Sequence, residues 1–238
     1  MRVEDVRLTY MVKHALSRSL KQAFINAVKQ KSSSIRVDAV KSVNFELKGG
    51  EVLGIIGKNG AGKSSLLKLL AGILPPTSGS VKIRGRIAPL IELNAGFNPE
   101  LTGKENIVLF GVLLGNNKKL MEDEVENISS WAGLTEFIDL PIRTYSTGML
   151  ARLGFAVATF QPAELLIVDE VLSVGDSSFQ VKSLERIEKL MSDGEATILV
   201  SHDLQLIEEK ATKVLWLENG IQMMIGDPKE VVNAYRKS

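Results

Sequence analysis

The sequence predicts an α/β fold whose central sheet is mainly parallel. Short apolar runs typical of buried parallel strands occur at residues 52–56, 165–168, 197–200 and 213–217. Stretches of helical character separate these runs, so strands and helices alternate along the chain. Alternation of this kind is typical of a layered fold in which helices cover a parallel sheet.

The composition excludes several kinds of chemistry. The chain has no cysteine, which excludes disulfides, Cys-ligated zinc and thiol catalysis. Its two histidines, His14 and His202, lie far apart in sequence, which argues against a His-cluster metal site. With 29 Lys and Arg against 28 Asp and Glu, the net charge is +1, and we expect no nucleic acid as the main partner.

The length and the apolar runs bound the domain organisation. The 238 residues suit one large domain with its own core. No uncharged apolar run approaches the length of a membrane span, and the N-terminus lacks the apolar centre of a signal peptide. We therefore expect a soluble, cytosolic chain without a transmembrane segment.

The N-terminal part of the chain predicts a strand, a basic helix and a second strand. Residues 3–10 alternate loosely as a strand does, and residues 39–47 predict another strand before the Gly49-Gly50 turn. Between them, residues 11–37 hold six basic side chains and no acidic one. Apolar residues recur there at helical spacing, which predicts a basic amphipathic helix over residues 15–29.

The elements after residue 57 follow from turn residues and periodicity. A glycine-rich loop opens a helix at residues 64–73, and residues 80–93 predict a hairpin or strand pair. Residues 101–140 are more polar and mostly helical in pattern. Asn219-Gly220 predicts a hairpin turn, and residues 228–236 a short terminal helix.

Residues 57–64 match the P-loop pattern G-x-x-x-x-G-K-[ST]. Glycines let successive backbone N–H groups curl around phosphate oxygens, and the helix that follows adds its positive N-terminal dipole. In this pattern Lys63 reaches the β and γ phosphates and the Ser64 hydroxyl binds Mg²⁺. A chance match in a glycine-rich turn is the alternative, but the position between a strand and a helix favours a P-loop NTPase core.

Two carboxylates follow the apolar run at residues 165–168. A carboxylate at the carboxyl end of a strand beside a P-loop can hold Mg²⁺ through water, which assigns Asp169. Glu170 lies one residue further on and can polarise an attacking water. The alternative is a strand that ends in two solvated acids, and the neighbouring P-loop favours the functional interpretation.

Small residues also precede the apolar stretch that begins near Met149. Ser146, Thr147 and Gly148 at a helix start could form a second anion site. On spacing alone, an ordinary N-cap by Ser146 or Thr147 is the better explanation.

The order of these motifs along nearly the whole chain resembles that of the ATP-binding cassette (ABC) ATPases. The sequence runs from the P-loop through Ser-x-Gly at a helix start to Asp169-Glu170 and then to Ser201-His202-Asp203. The resemblance implies one cassette domain over residues 1–238, with a RecA-like core, an antiparallel β subdomain and a helical subdomain inserted at about residues 99–150. It also implies that residues 11–37 are a basic helical insertion relative to the general cassette.

The resemblance further implies roles for individual residues toward ATP and Mg²⁺. His202 would contact the γ-phosphate, Tyr10 would stack on adenine, and Asp176 would lie at a dimer seam. For Tyr10, the alternative is a tyrosine that only packs in the core or on an edge strand. Glu92 stands at the position of the family's Q-loop glutamine, where a carboxylate can still bind Mg²⁺. The implied nucleotide contacts also include Gly57, Asn59, Gly60, Ala61, Gly62, Lys63, Ser64, Ser65, Ser146, Thr147, Gly148 and Asp169.

A narrower resemblance links the chain to the polysaccharide-exporter branch of this family. It rests on residues 91–106 (IELNAGFNPELTGKEN), residues 145–149 (YSTGM) and residues 171–176 (VLSVGD) followed by Phe179-Gln180. Two features depart from the general cassette pattern: Glu92, and Thr147-Gly148-Met149 in place of the usual Gly-Gly-Gln.

The branch exports lipid-linked polysaccharides such as O-antigen. The resemblance therefore implies a peripheral subunit at the cytoplasmic membrane face, a membrane permease partner and a homodimer that encloses two ATP molecules. Residues 11–37 could then face the membrane, or could simply form a solvated helix docked on the core. Two alternative functions for the chain stay open. One is a soluble cassette ATPase that acts on nucleic acid or ribosomes, and the other is a regulatory module that binds nucleotide without hydrolysing it.

Overall fold

A computed structural model of the protein describes residues 1–13, 34–169, 176–193 and 196–238. Within these ranges the strands, in chain order, are β1 (Arg2–Lys13), β2 (Ser34–Glu46), β3 (Val52–Ile56), β4 (Ser78–Lys82), β5 (Ile87–Leu90), β6 (Leu165–Val168), β7 (Ala196–Val200), β8 (Lys213–Glu218) and β9 (Ile221–Gly226). They form one sheet in the order β4-β1-β2-β9-β8-β3-β7-β6-β5.

The centre of this sheet is parallel, and the side that contains β1 is antiparallel. β3 pairs in parallel with β7 and β8, and β6 pairs in parallel with β5 and β7. β1 pairs antiparallel with β2 and with β4. The predicted α/β class with a mainly parallel core is therefore confirmed, together with its antiparallel part.

The helices described are α1 (Lys63–Leu70), α2 (Gly103–Leu113), α3 (Lys118–Asp123), α4 (Val125–Ala132), α5 (Thr147–Ala158), α6 (Ser177–Ser192), α7 (Leu204–Lys210) and α8 (Pro228–Arg236). Two short 3-10 helices, Thr135–Phe137 and Ile142–Thr144, lie between α4 and α5. None of the described helices combines the length and the apolar character that a membrane span requires.

Both faces of the parallel strands are buried, which explains their uninterrupted apolar sequences. Along β3, Leu53 and Ile55 point into a core that includes Leu66 of α1. Val52 and Ile56 point into a second core, on the other face, that includes Phe155 of α5. A third apolar cluster joins α2, α3 and α4 to α5, so these helices pack as one group beside the sheet.

Two predictions about local structure are wrong in part. Residues 80–93 do not form a hairpin, because β4 and β5 lie at opposite edges of the sheet. The first two strands are longer than predicted, so residues 11–13 and 34–37 belong to β1 and β2 rather than to an inserted helix. The helix predicted at residues 15–29 lies outside the described residues.

Asn106 organises the turn that leads into α2. Its side chain is fully buried, and its Oδ1 accepts a hydrogen bond from the Asn98 backbone N–H at 2.8 Å. Its Nδ2 lies 3.1 Å from the carbonyl oxygen of Leu101 and 2.9 Å from that of Thr102. Thr102 and Glu105 add a reciprocal capping box at the same helix start.

We expect Asn106→Ala to lower the free energy of unfolding by about 2–3 kcal/mol, because it leaves buried backbone groups without a partner. Denaturant unfolding followed by circular dichroism measures this change. Asn127→Ala is the matched control, since Asn127 is exposed, and we expect it to change stability by less than about 0.5 kcal/mol. Equal effects of the two substitutions would contradict the role assigned to Asn106.

Candidate active site

The loop between β3 and α1 depends on two glycines. Gly57 and Gly62 have φ values of 154° and 103°. A Cβ at Gly57 would lie 2.2 Å from the carbonyl oxygen of Leu217, and one at Gly62 would lie 2.3 Å from that of Ala39. A side chain at either position would therefore force the loop away from strands β8 and β2.

Lys63 begins α1, and its side chain is held inside the loop. The side chain is buried, and Nζ donates to the carbonyl oxygens of Gly57 at 2.7 Å and Lys58 at 3.3 Å. The first turn of α1 contains no acidic residue. The ammonium group and the helix N-terminus thus place positive potential at the same point, as binding of an anion requires.

A cavity of about 740 Å³ opens beside this loop. Asp169 follows β6 and His202 follows β7, and both side chains line the cavity because the carboxyl ends of parallel strands meet at one edge of a sheet. The predicted residues that line it are Tyr10, Asn59, Gly60, Ala61, Gly62, Lys63, Ser64, Ser65, Asp169 and His202.

Tyr10 reaches the cavity from the antiparallel part of the sheet. It lies on β1 opposite Val37 of β2, and both residues line the cavity. The Tyr10 hydroxyl is 3.4 Å from the Ser65 Oγ on α1. The aromatic side chain therefore stands at the side of the phosphate loop, in contact with the helix that follows it.

Glu92 does not line this cavity. Its carboxylate forms an ion pair with Lys68 of α1, with 2.5 Å between Oε1 and Nζ, and this contact raises the pKa of the Lys68 ammonium group. Glu92 also has a positive φ of 45°, which is uncommon for a residue with a side chain. The structure thus places Glu92 beside α1, and not with Ser64 and Asp169.

The Ser146-Thr147-Gly148 segment also lies outside the cavity. Ser146 caps α5 by accepting a hydrogen bond from the Met149 backbone N–H at 3.2 Å. Ser146 and Thr147 are exposed. The helix start therefore has the N-cap predicted from spacing, and its small residues face outward.

Asp176 lies beside α5 and caps α6. It accepts a hydrogen bond from the Phe179 backbone N–H at 3.0 Å, and a hydrogen bond from the Ser178 hydroxyl lowers the pKa of its carboxyl. Arg152 of α5 is 3.9 Å from the Asp176 carboxylate. Glu170, the predicted base, and residues 171–175 lie outside the described residues.

Sequence reasoning missed seven residues that line the cavity: Val37, Asp38, Ala39, Lys41, Val200, Asn219 and Gly220. They lie on β2, at the end of β7 and on the turn between β8 and β9. The Asn219-Gly220 pair predicts the observed turn, in which the two residues have φ values of 49° and 78°. Nothing in that dipeptide indicates that the turn borders a phosphate loop. For Asp38 and Lys41 the sequence carries no comparable signal.

Comparison with known proteins identifies the family. The model of the ABC transporter family matches residues 40–173. The chain belongs to the ABC transporter family. This confirms the predicted ABC ATPase domain and, with the site geometry, the expectation of a nucleotide-binding cassette.

Several relatives of this ABC protein have names that refer to export. The O-antigen export system ATP-binding protein RfbB of Klebsiella pneumoniae is 44% identical over 200 residues, which cover 84% of this chain and 81% of that protein. The RfbB of Myxococcus xanthus is 40% identical over 90% of this chain, and the chain spans only 49% of its length. The teichoic acids export ATP-binding protein TagH of Bacillus anthracis is 40% identical over 83% of this chain and 36% of its own.

Solved structures confirm the fold of this ABC protein. An ATP-binding subunit of an ABC transporter superposes with a TM-score of 0.72 over 99% of this chain and 92% of its own, at 21% identity. The ATP-binding cassette MJ0796, in a dimeric post-hydrolysis state bound to ADP and phosphate, gives a TM-score of 0.70 over 95% of this chain and 98% of its own, at 20% identity.

Proposed function

We propose that this ABC protein hydrolyses ATP as a peripheral subunit of a membrane transporter that exports a lipid-linked polysaccharide. The observation that carries the proposal is the cavity in which the P-loop, Asp169 and His202 come together. Export of a polysaccharide is supported by relatives named for export of O-antigen and teichoic acids at about 40% identity. The chain would work at the cytoplasmic face of the membrane.

In this proposal ATP lies along the cavity, with its phosphates at the N-terminus of α1. Backbone N–H groups of residues 60–64 would surround the phosphates, and Lys63 would turn from the loop carbonyls to the β and γ phosphates. Tyr10 would stack on the adenine ring at the other end. The contacts of Lys63 and Tyr10 with the loop and α1 support this orientation.

Mg²⁺ would bind with the nucleotide. The Ser64 hydroxyl and the Asp169 carboxylate line the same cavity, and oxygen donors of this kind suit Mg²⁺. No group of three or more His, Cys, Asp or Glu side chains able to hold a metal occurs in the described ranges. Ser64 and Asp169 alone would fit a Mg²⁺ ion whose other oxygen ligands come from the phosphates and from water. Bound Mg²⁺ would neutralise charge on the β and γ phosphates. The Glu92 carboxylate would become a Mg²⁺ ligand only if its ion pair with Lys68 were broken.

Hydrolysis would use two residues that follow neighbouring strands. Glu170 comes directly after Asp169 and would accept the proton of the attacking water. His202 would donate a hydrogen bond to the γ-phosphate, and its position on the cavity wall supports that role.

A homodimer would complete each site. Ser146, Thr147 and Gly148 of one subunit would contact the γ-phosphate bound to the other, because they are small and lie outside their own subunit's cavity. Asp176 would lie at the seam, with its carboxylate beside Arg152 of α5. A separate permease would supply the membrane path, and the basic residues among 11–37 would face it or the membrane surface.

Restoration of export tests the proposal. The chain is expressed together with a candidate export permease from the same organism, in a strain that lacks its own export ATPase, and surface polysaccharide is quantified. We expect export with the natural chain and none with Lys63→Ala, which removes the phosphate contact. An ATPase that associates with RNA or DNA, and that does not restore export, would instead favour the nucleic-acid function.

A further inference from the structure

The turn between β8 and β9 contacts the phosphate loop through its backbone. The Gly220 N–H donates a hydrogen bond to the Ala61 carbonyl oxygen at 2.8 Å. The Gly220 carbonyl oxygen accepts a hydrogen bond from the Lys41 N–H of β2, also at 2.8 Å. Gly220 therefore connects the phosphate loop to the sheet through both of its backbone polar groups.

Position 220 requires a glycine. Gly220 is buried, its φ is 78°, and a Cβ there would lie 2.7 Å from the Ala39 carbonyl oxygen. Asn219 also has a positive φ, 49°, and two such residues in succession suit the two-residue turn of a hairpin. The turn is therefore held in one geometry by its own backbone and by β2.

The part of the phosphate loop that contacts this turn has little conformational constraint of its own. Ala61 lies between Gly60 and Gly62, whose φ values are 80° and 103°. Because glycine has access to many backbone conformations, the peptide group between Ala61 and Gly62 could point either way. One orientation would direct a carbonyl oxygen at a bound phosphate, and the other would direct an N–H at it. Affinity for an anion thus depends on which orientation is held.

The hydrogen bond from Gly220 selects one of these orientations. In a planar trans peptide the C=O and the next N–H point in opposite directions, so fixing the Ala61 carbonyl also fixes the Gly62 N–H. Gly62 is the N-cap of α1, where an N–H has no partner within the helix, and it lines the cavity. We propose that Gly220 is a positioning residue for phosphate binding, which keeps the Gly62 N–H directed at the phosphates of the nucleotide. This inference rests on the proposed nucleotide-binding function.

The test measures the dissociation constant of ADP for the full chain by calorimetry. Gly220→Ala displaces the turn, and we expect ADP to bind about tenfold more weakly, the scale of one lost hydrogen bond to a charged group. Gly50→Ala is the matched control, since Gly50 has nearly the same φ, 76°, but is exposed and lies outside the cavity. It should bind ADP as the natural chain does. A turn that only stabilised the fold would change the free energy of unfolding and leave the ADP affinity of the folded protein unchanged.

A second variant removes the hydrogen bond without adding a side chain. Gly220→glycolic acid, introduced during in vitro translation, replaces the backbone N–H by an ester oxygen and keeps the carbonyl that accepts from Lys41. It should weaken ADP binding by a similar factor, whereas the same ester at Gly50 should not. Unchanged ADP affinity in the folded ester variant would overturn the inference and leave nucleotide binding intact. Failure of the natural chain to bind ADP would overturn the proposed function, and the inference with it.

Discussion

Glu170→Gln is expected to lower steady-state ATP turnover by roughly 10²–10⁴-fold, the scale of a lost general base. Binding of ATP should survive, because in the proposed site the P-loop backbone and Lys63, rather than Glu170, would hold the phosphates. A protein that binds ATP and does not hydrolyse it should accumulate as the ATP-bound dimer. The amide of glutamine has nearly the shape of the carboxylate, so the substitution changes basicity and little else.

Phosphate release and size-exclusion chromatography with ATP measure the two parts of this prediction. Glu185→Gln is the control, since Glu185 is an exposed residue of α6 away from the cavity. It should hydrolyse ATP at the natural rate and show no added dimer. Near-normal hydrolysis by the Glu170 variant would refute the assignment of the base.

The predicted residues that the structure brings together at the cavity are indicated by local chemistry. Gly57 and Gly62 must be glycines because backbone carbonyl oxygens of other strands approach them closely. Both lie within the eight-residue P-loop pattern, so the requirement is visible in the local sequence. Asp169 directly follows β6. This strand is buried on both faces, so the sequence of β6 is an apolar run, and the carboxylate marks its end. Such features can be found without knowledge of the rest of the fold.

The features that sequence reasoning missed depend on pairing between distant segments. β4 and β5 are close in sequence, which predicts a hairpin between them. In the structure, however, β4 pairs with β1 and β5 pairs with β6. Residues 37–39 border the cavity only because β2 pairs with β1, which places them beside Tyr10. Glu92 was predicted from family position alone, and its contact with Lys68 depends on how two distant segments pack.

His202→Ala is expected to lower the ATP hydrolysis rate by roughly 10²–10³-fold, because it removes one donor that stabilises the transition state. The loss should fall on turnover and not on ATP affinity. The backbone around His202 is held on both sides: Ser201 accepts a hydrogen bond from the Asp203 N–H at 3.0 Å, and Asp203 caps α7. Alanine should therefore leave the loop in place and remove only the imidazole.

The measurement is steady-state phosphate release as a function of ATP concentration, which separates turnover from the Michaelis constant. His14→Ala is the natural control, because His14 is the only other histidine in the chain and belongs to no nucleotide motif. Adding His202→Ala to Glu170→Gln should cost much less than the product of the two single losses, since both act on the same step. If His202→Ala alone keeps the full hydrolysis rate, the γ-phosphate contact assigned to His202 is wrong.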